Sequence, residues 1–239
     1  YHLYPISTAE LYDSQGLLPV KQMFESRLIY GSYPDIINHT DEAKELLMNI
    51  ANSYLHKDLL AMNEIRRPIL LEKLLIALAL QVGSEVSYNE VAQTIGTDNK
   101  TVEKYIDLLE KCYVIFRLNA FNRNLRTELK KSKKIYFYDK GIRNAVIQNF
   151  APLSLRQDTG ALWENFFISE RIKANHYNGN YAKSFFWRTT QQQEIDYIEE
   201  ADGNFTAFEM KWNPNKRPIT FPSPFLNNYP VKETVVITP

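Results

Sequence analysis

The chain has 239 residues, 44% of them apolar and 13% aromatic, enough to build one large domain or two small ones with real cores. Its 28 basic and 28 acidic side chains cancel, which argues against a uniformly basic nucleic-acid binder, and the single cysteine, Cys112, excludes an internal disulfide framework. No run of about 20 apolar residues and no signal-peptide pattern is visible, so the expected setting is a reducing cytoplasm with no membrane partner.

The opening Tyr1-His-Leu-Tyr-Pro-Ile-Ser is apolar and strand-like and runs into Thr8-Ala-Glu-Leu11 without a methionine, which reads as a fragment whose upstream part is missing. Val20 to Tyr30 reads as a helix, broken by the turn chemistry of Gly31-Ser-Tyr-Pro34. Asp41 is placed to cap a helix from about Glu42 to Leu60, with apolar residues at helical spacing. Pro68 suits the first position of an almost wholly apolar helix, Ile69 to Gln81, which is expected to be buried.

Ser87 can cap Tyr88 to Ile95, and Gly96-Thr-Asp98 separates that segment from a longer helix, Asn99 to Lys111. Buried helix, short helix, tight glycine turn and longer helix is the helix-turn-helix layout. The strands Tyr113 to Leu118 and Lys134 to Tyr138 follow, with a basic hairpin between them where a wing belongs. From Arg117 to Arg143 nine cations face only Glu128 and Asp139. Arg123, Arg126, Lys130, Lys131 and Lys133 suit contacts to DNA phosphates, joined by Lys100 and Lys104 on the longer helix. That helix also carries Glu103 and Asp107, so recognition of shape and backbone is expected over base reading.

Asp158-Thr-Gly160 then leads into a helix from about Ala161 to Asn175 carrying Glu164. Strands Lys183 to Arg188, Gln193 to Ile198 and Phe205 to Lys211 follow, and Glu233 to Thr238 ends the chain. The proline-rich stretch from Asn213 to Pro230 opposes a long helix. Every charged residue from Glu194 to Glu209 is acidic. Phosphodiester hydrolysis needs a hard divalent cation, which prefers carboxylate oxygens. Asp196 and Glu209 lie on successive strands, and period-two alternation puts Glu209 and Lys211 on one face. A lysine there can orient or deprotonate an attacking water, and Glu164 can complete the acidic pocket. The candidate catalytic residues are therefore Glu164, Asp196, Glu209 and Lys211, with Asp196 and Glu209 as ligands to Mg²⁺ or Mn²⁺. Trp163, Trp187 and Trp212 read as packing anchors. The histidines are scattered without ligand spacing, and Cys112 lacks a catalytic partner.

Glu164, Asp196 and Glu209-x-Lys211, in this order and context, resemble the PD-(D/E)xK nuclease signature, although no proline precedes Asp196. A wider set of segments covers nearly the whole chain: Gly31-Ser-Tyr-Pro34, Tyr54-x-x-x-Asp58, Lys134-Ile-Tyr-Phe-Tyr-Asp-Lys-Gly141, Gly160-Ala-Leu-Trp-Glu164, Phe186-Trp-Arg188, Glu194-Ile-Asp196 and Glu209-Met-Lys211. Together they resemble the C-terminal domain of unknown function that follows the ATPase core in predicted prokaryotic AAA+ superfamily ATPases. The resemblance implies an α+β or α/β fold, a helical winged-helix region followed by a restriction-endonuclease-like domain. It divides the chain into residues 1–30, the tail of the ATPase core and a linker helix, then 31–140 and 141–239.

It also implies an upstream ATPase domain of the same polypeptide as partner, with ATP bound there only, because no Gly-x-x-x-x-Gly-Lys-Ser/Thr occurs in this chain. The expected function is a DNA-interacting module of that ATPase, its oligomeric state left open. The alternatives are an active Mg²⁺-dependent DNA endonuclease and a protein interaction or assembly module.

Overall fold

The computed structural model describes residues 3–53, 67–122, 132–213 and 219–239. Among them the chain is a mixed α+β fold of eleven α-helices and one seven-stranded mixed sheet. Residues 3–7 are irregular, not a strand. Pro5 and Ser7 are buried, and Ser7 forms a capping box with Glu10 at the start of α1 (Thr8–Gln15). The helix expected over Val20 to Tyr30 is two: α2 (Leu17–Gln22) and α3 (Phe24–Tyr30) meet at Met23, whose φ of −89° and ψ of 6° turn the chain. Proline starts α4 (Pro34–Asn38), and a 3-10 turn at Thr40–Glu42 stands where Asp41 was expected to cap α5 (Ala43–Ser53). The rest of that expected helix and the Tyr54-x-x-x-Asp58 motif lie outside the described residues.

Pro68 occupies the first turn of α6 (Pro68–Leu80), as its preset φ allows. Leu71, Leu74, Leu75 and Leu78 are buried, but Ile69 and Leu80 are 64% and 66% exposed, so this apolar helix keeps an open face instead of being wholly enclosed. A short β1 (Glu85–Val86) precedes α7 (Tyr88–Ile95), where the Ser87 hydroxyl accepts from the Glu90 amide. Gly96 ends α7 in the left-handed region, where a Cβ would be disfavoured. Asp98 then caps α8 (Asn99–Lys111), accepting from the Thr101 amide. Val102, Ile106 and Leu109, three and four residues apart, are fully buried, so one face of α8 packs on the core.

Strands β2 (Ile115–Ala120) and β3 (Lys133–Phe137) pair antiparallel, and β1 adds to the outer side of β3. After α9 (Lys140–Val146) and the 19-residue α10 (Thr159–Tyr177) come β4 (Lys183–Arg188), β5 (Glu194–Ala201) and β6 (Asn204–Met210), an antiparallel meander. The proline-rich connection holds only the six-residue α11 (Ser223–Asn228) before β7 (Val231–Ile237), which lies parallel to β6. The sheet order is β1-β3-β2-β4-β5-β6-β7, joined in the middle where Asn119 and Ala120 pair in parallel with Phe185 and Phe186.

One sheet and one large apolar cluster therefore cross residue 140. Buried polar groups reinforce the seam, because an unpaired backbone group there would cost free energy. The Asn165 amide of α10 both accepts from the Phe137 N–H and donates to its carbonyl, and Asn144 donates to the carbonyls of Leu28 and Ile29. Asp139 caps α9 while accepting from the Ser32 amide. Gly141 must be glycine for a steric reason, since a Cβ there would stand 2.1 Å from the Tyr30 carbonyl oxygen. Among the described residues no helix is long and apolar enough to cross a membrane.

Candidate active site

Three of the four expected catalytic residues meet at one end of the meander. The strand register that pairs Tyr197 with Phe208 brings Asp196 beside Glu209. Asp196 Oδ2 accepts from the Met210 amide at 2.9 Å. Lys211, just past β6, places its ammonium 2.6 Å from Glu209 Oε2 and 3.6 Å from Asp196 Oδ2. The period-two expectation that Glu209 and Lys211 share a face is met. Glu209 is 6% exposed, while the Lys211 side chain, at 38%, reaches solvent.

Glu164, on the first half of α10, lies close enough to feel the Asp196 charge, but its direct partners come from β3. Glu164 Oε1 accepts from the Tyr136 hydroxyl at 2.5 Å and lies 3.1 Å from the Lys134 ammonium. Lys134 in turn reaches Glu194 at the start of β5 at 2.5 Å. Beyond Glu194 stands Arg188, 3.6 Å from it and 2.8 Å from Glu85 of β1. Lys134 and Tyr136 were not assigned to the site from sequence. The signal was their alternation along β3, since residues two apart share a sheet face, but the basic block around them pointed to solvent.

The charges act on one another strongly. Burial, followed by the nearby Asp196 charge, pushes the Glu164 carboxyl up to about 7 against the opposing pull of Lys134. Burial and Asp196 likewise push Glu209 up to about 7, with Lys211 pulling the other way. For Lys134, burial works against the ammonium, yet Glu164 and Glu194 more than offset it and hold its pKa above the ordinary lysine value. Lys211 is raised in the same way, Asp196 and Glu209 outweighing burial. Two acids poised near neutrality beside a firmly charged lysine suit proton transfer at physiological pH.

The donor set fits a hard divalent cation in one respect. Mg²⁺ is commonly held by one or two carboxylates, with water and substrate phosphate completing its shell, and Asp196 and Glu209 supply two. Among the described residues no three His, Cys, Asp or Glu side chains are grouped to hold a metal. Glu164 is engaged by Lys134 and Tyr136 instead of joining that pair directly.

Of the expected DNA-contacting residues, Lys100 and Lys104 stand exposed on α8 beside Glu103 and Asp107, a face of mixed charge. Arg117 ties itself to this acidic side through Asp107, at 2.7 Å, and Glu110. Lys133 sits over the Tyr88 ring, 4.8 Å from its centroid. Arg123, Arg126, Lys130 and Lys131 lie outside the described residues.

Fold and site together define a mixed α+β protein in which a single sheet carries a carboxylate–lysine pocket across two successive sequence segments. Two family models match successive parts of the chain: Domain of unknown function (DUF8612) matches residues 21–153 and Domain of unknown function (DUF4143) matches residues 159–238. The first covers more than half of the chain, which belongs to that family. The chain is 26% identical over 156 residues to an uncharacterized protein of Haemophilus influenzae, covering 61% of this chain and 39% of that protein. It is 28% identical over 131 residues to the uncharacterized protein Rv2008c of Mycobacterium tuberculosis, 54% of this chain and 29% of the relative. It is 29% identical over 106 residues to the uncharacterized protein MJ1637 of Methanocaldococcus jannaschii, 41% and 22% respectively. The chain thus spans well under half the length of each of these relatives. No solved structure matches it.

Proposed function

We propose that this chain is a DNA-interacting module whose α10-to-β7 unit acts on the phosphodiester backbone with the help of a divalent cation. The observation that carries this reading is the convergence of Asp196, Glu209 and Lys211, the ammonium lying within 3.6 Å of both carboxylates. The order helix, three antiparallel strands, short helix and a fourth strand parallel to the third supports a restriction-endonuclease-like assignment.

Asp196 and Glu209 would hold Mg²⁺ or Mn²⁺, which when bound polarises a phosphoryl oxygen. Lys211 offsets charge that develops on the phosphate and can orient a water for attack. The buried Lys134 and Tyr136 hold Glu164 in place, fixing the local field near Asp196.

For the preceding segment, β1 paired outside the β2–β3 hairpin, with α6 packed on α7, α7 on α8 and α8 on β2, supports a winged-helix reading. The mixed charge on α8 favours docking on the DNA backbone over base reading. Following the resemblance seen in the sequence, we assign this module to the service of an AAA+ ATPase domain, to which ATP binding would be confined. The ion-paired state of Arg117 favours one second reading, in which the α8 face meets a protein partner instead of phosphates.

The test is incubation of the purified chain with single-stranded, duplex and branched DNA in Mg²⁺ or Mn²⁺, with Lys211→Ala alongside. Metal-dependent cutting that disappears in the variant is expected. Cutting that persists undiminished in Lys211→Ala would refute the assignment, and salt-sensitive binding without cutting would leave a docking module.

A further inference from the structure

The groove beside the carboxylates is larger than the two acids and a metal ion require. About 880 Å³ opens between Gln157 before α10 and Trp212 beyond β6, with Glu209 and Lys211 on its wall. That is the scale of small-molecule pockets, about 300–1,000 Å³. Duplex-binding surfaces work differently, neutralising many phosphates along an extended basic track. Here the described lining offers a single cation, Lys211, against the carboxylates of Glu194 and Glu209. Among the described lining residues the one cation suits one phosphate, not a duplex's continuous row of them.

The three tryptophans are not equivalent. Trp163 and Trp187 are 5% and 7% exposed and belong to the two apolar clusters. Trp212 is half-buried. It meets Trp163 in a T-shaped contact, centroids 6.4 Å apart, and lines the groove next to Lys211. An aromatic surface beside one half-exposed lysine, with the exposed Gln157 amide at the rim, matches the parts of one nucleotide: a π-face, an anion and polar base edges.

We infer that the groove holds an unpaired nucleotide, its base stacked on Trp212 and its phosphate at Lys211, so that the site takes single-stranded or frayed DNA and not intact duplex. For the chemistry performed there this rests on the nuclease reading above, whereas the stacking can be tested without any cleavage.

The experiment uses the full chain in EDTA, titrated with single-stranded oligothymidylate, oligodeoxyadenylate and a blunt duplex of equal length, following tryptophan fluorescence and oligonucleotide anisotropy. Single strands should quench the fluorescence and bind more tightly than the duplex. Trp212→Phe should abolish the quench and keep most of the affinity, because an aromatic face remains, while Trp212→Leu should bind about 5- to 100-fold more weakly. Equal binding and quenching by duplex, a quench that survives in Trp212→Phe, or unchanged affinity in Trp212→Leu would each overturn the inference. Absence of cutting in Mg²⁺ alongside Trp212-dependent binding would remove the nuclease reading alone, and cutting of single strands that bind independently of Trp212 would remove this inference alone.

Discussion

Glu164 offers a quantitative test of the site, because its carboxyl is raised from the ordinary 4.5 to about 7 by burial and by Asp196. Between these two values the folded protein binds a proton that the unfolded chain has lost. Stability therefore falls with rising pH through this window, by about 1.4 kcal/mol per unit of difference, or about 3 kcal/mol in all by pH 8.5. Glu164→Gln keeps the shape and removes the titration. At pH 4.5, where Glu164 is protonated in the folded state, the variant should differ little from the parent. At pH 8.5 it should be the more stable of the two by about 3 kcal/mol relative to that starting difference. Urea unfolding of both proteins at pH 4.5, 6, 7 and 8.5 measures this directly, and subtracting the two curves cancels every other titrating group that the substitution leaves unchanged. Two parallel curves, or a variant that loses ground as the pH rises, would refute the claim that this acid is held against its charge.

Two further substitutions test how the site is tied into the fold. Lys134→Met leaves Glu164 and Glu194 facing each other without the buried ammonium between them, and should cost about 3–5 kcal/mol in urea unfolding at pH 8. A loss below about 1 kcal/mol would mean that the pair behaves like a surface ion pair. Gly141→Ala drives a methyl group to 2.1 Å from the Tyr30 carbonyl, so overpacking of at least about 1–3 kcal/mol should appear as a lower thermal midpoint; an unchanged midpoint would contradict the close approach of α3 and α9.

The seam between the two family segments has a functional consequence. Residues from both sides build the acidic pocket: Lys134 and Tyr136 come from the segment before residue 153, Glu164, Glu194 and Asp196 from the segment after it. The charged chain runs on through Arg188 to Glu85, on the strand that precedes α7. A change at the base of the hairpin is thus felt at the carboxylates through direct ion pairs.

Much of the local structure was legible from the sequence, because its causes lie within a few residues. Ser87 and Asp98 can cap their helices from neighbouring positions, Pro68 presets a first turn, and Gly96 supplies the left-handed turn between α7 and α8. Alternation alone put Glu209 and Lys211 on one face, and the order helix, three strands, strand followed from apolar periodicity. The break at Met23 and the open face of α6 were not legible, because chain turns and burial depend on what packs alongside.

The site itself was only half determined in this way. Asp196 could be named from its strand, but its bond to the Met210 amide depends on the β5–β6 register. From sequence, Lys134 is one cation of a basic block, at the start of a strand. It is buried because β2 pairs in parallel with β4, a contact between segments more than sixty residues apart that no local pattern encodes. The same pairing sets the environment in which Glu164 is buried near Asp196 and so fixes its ionisation. Chain-local chemistry thus determined which residue types were present and which way they alternate, while the sheet register decided which charges share a low-dielectric space, and with that their protonation near pH 7.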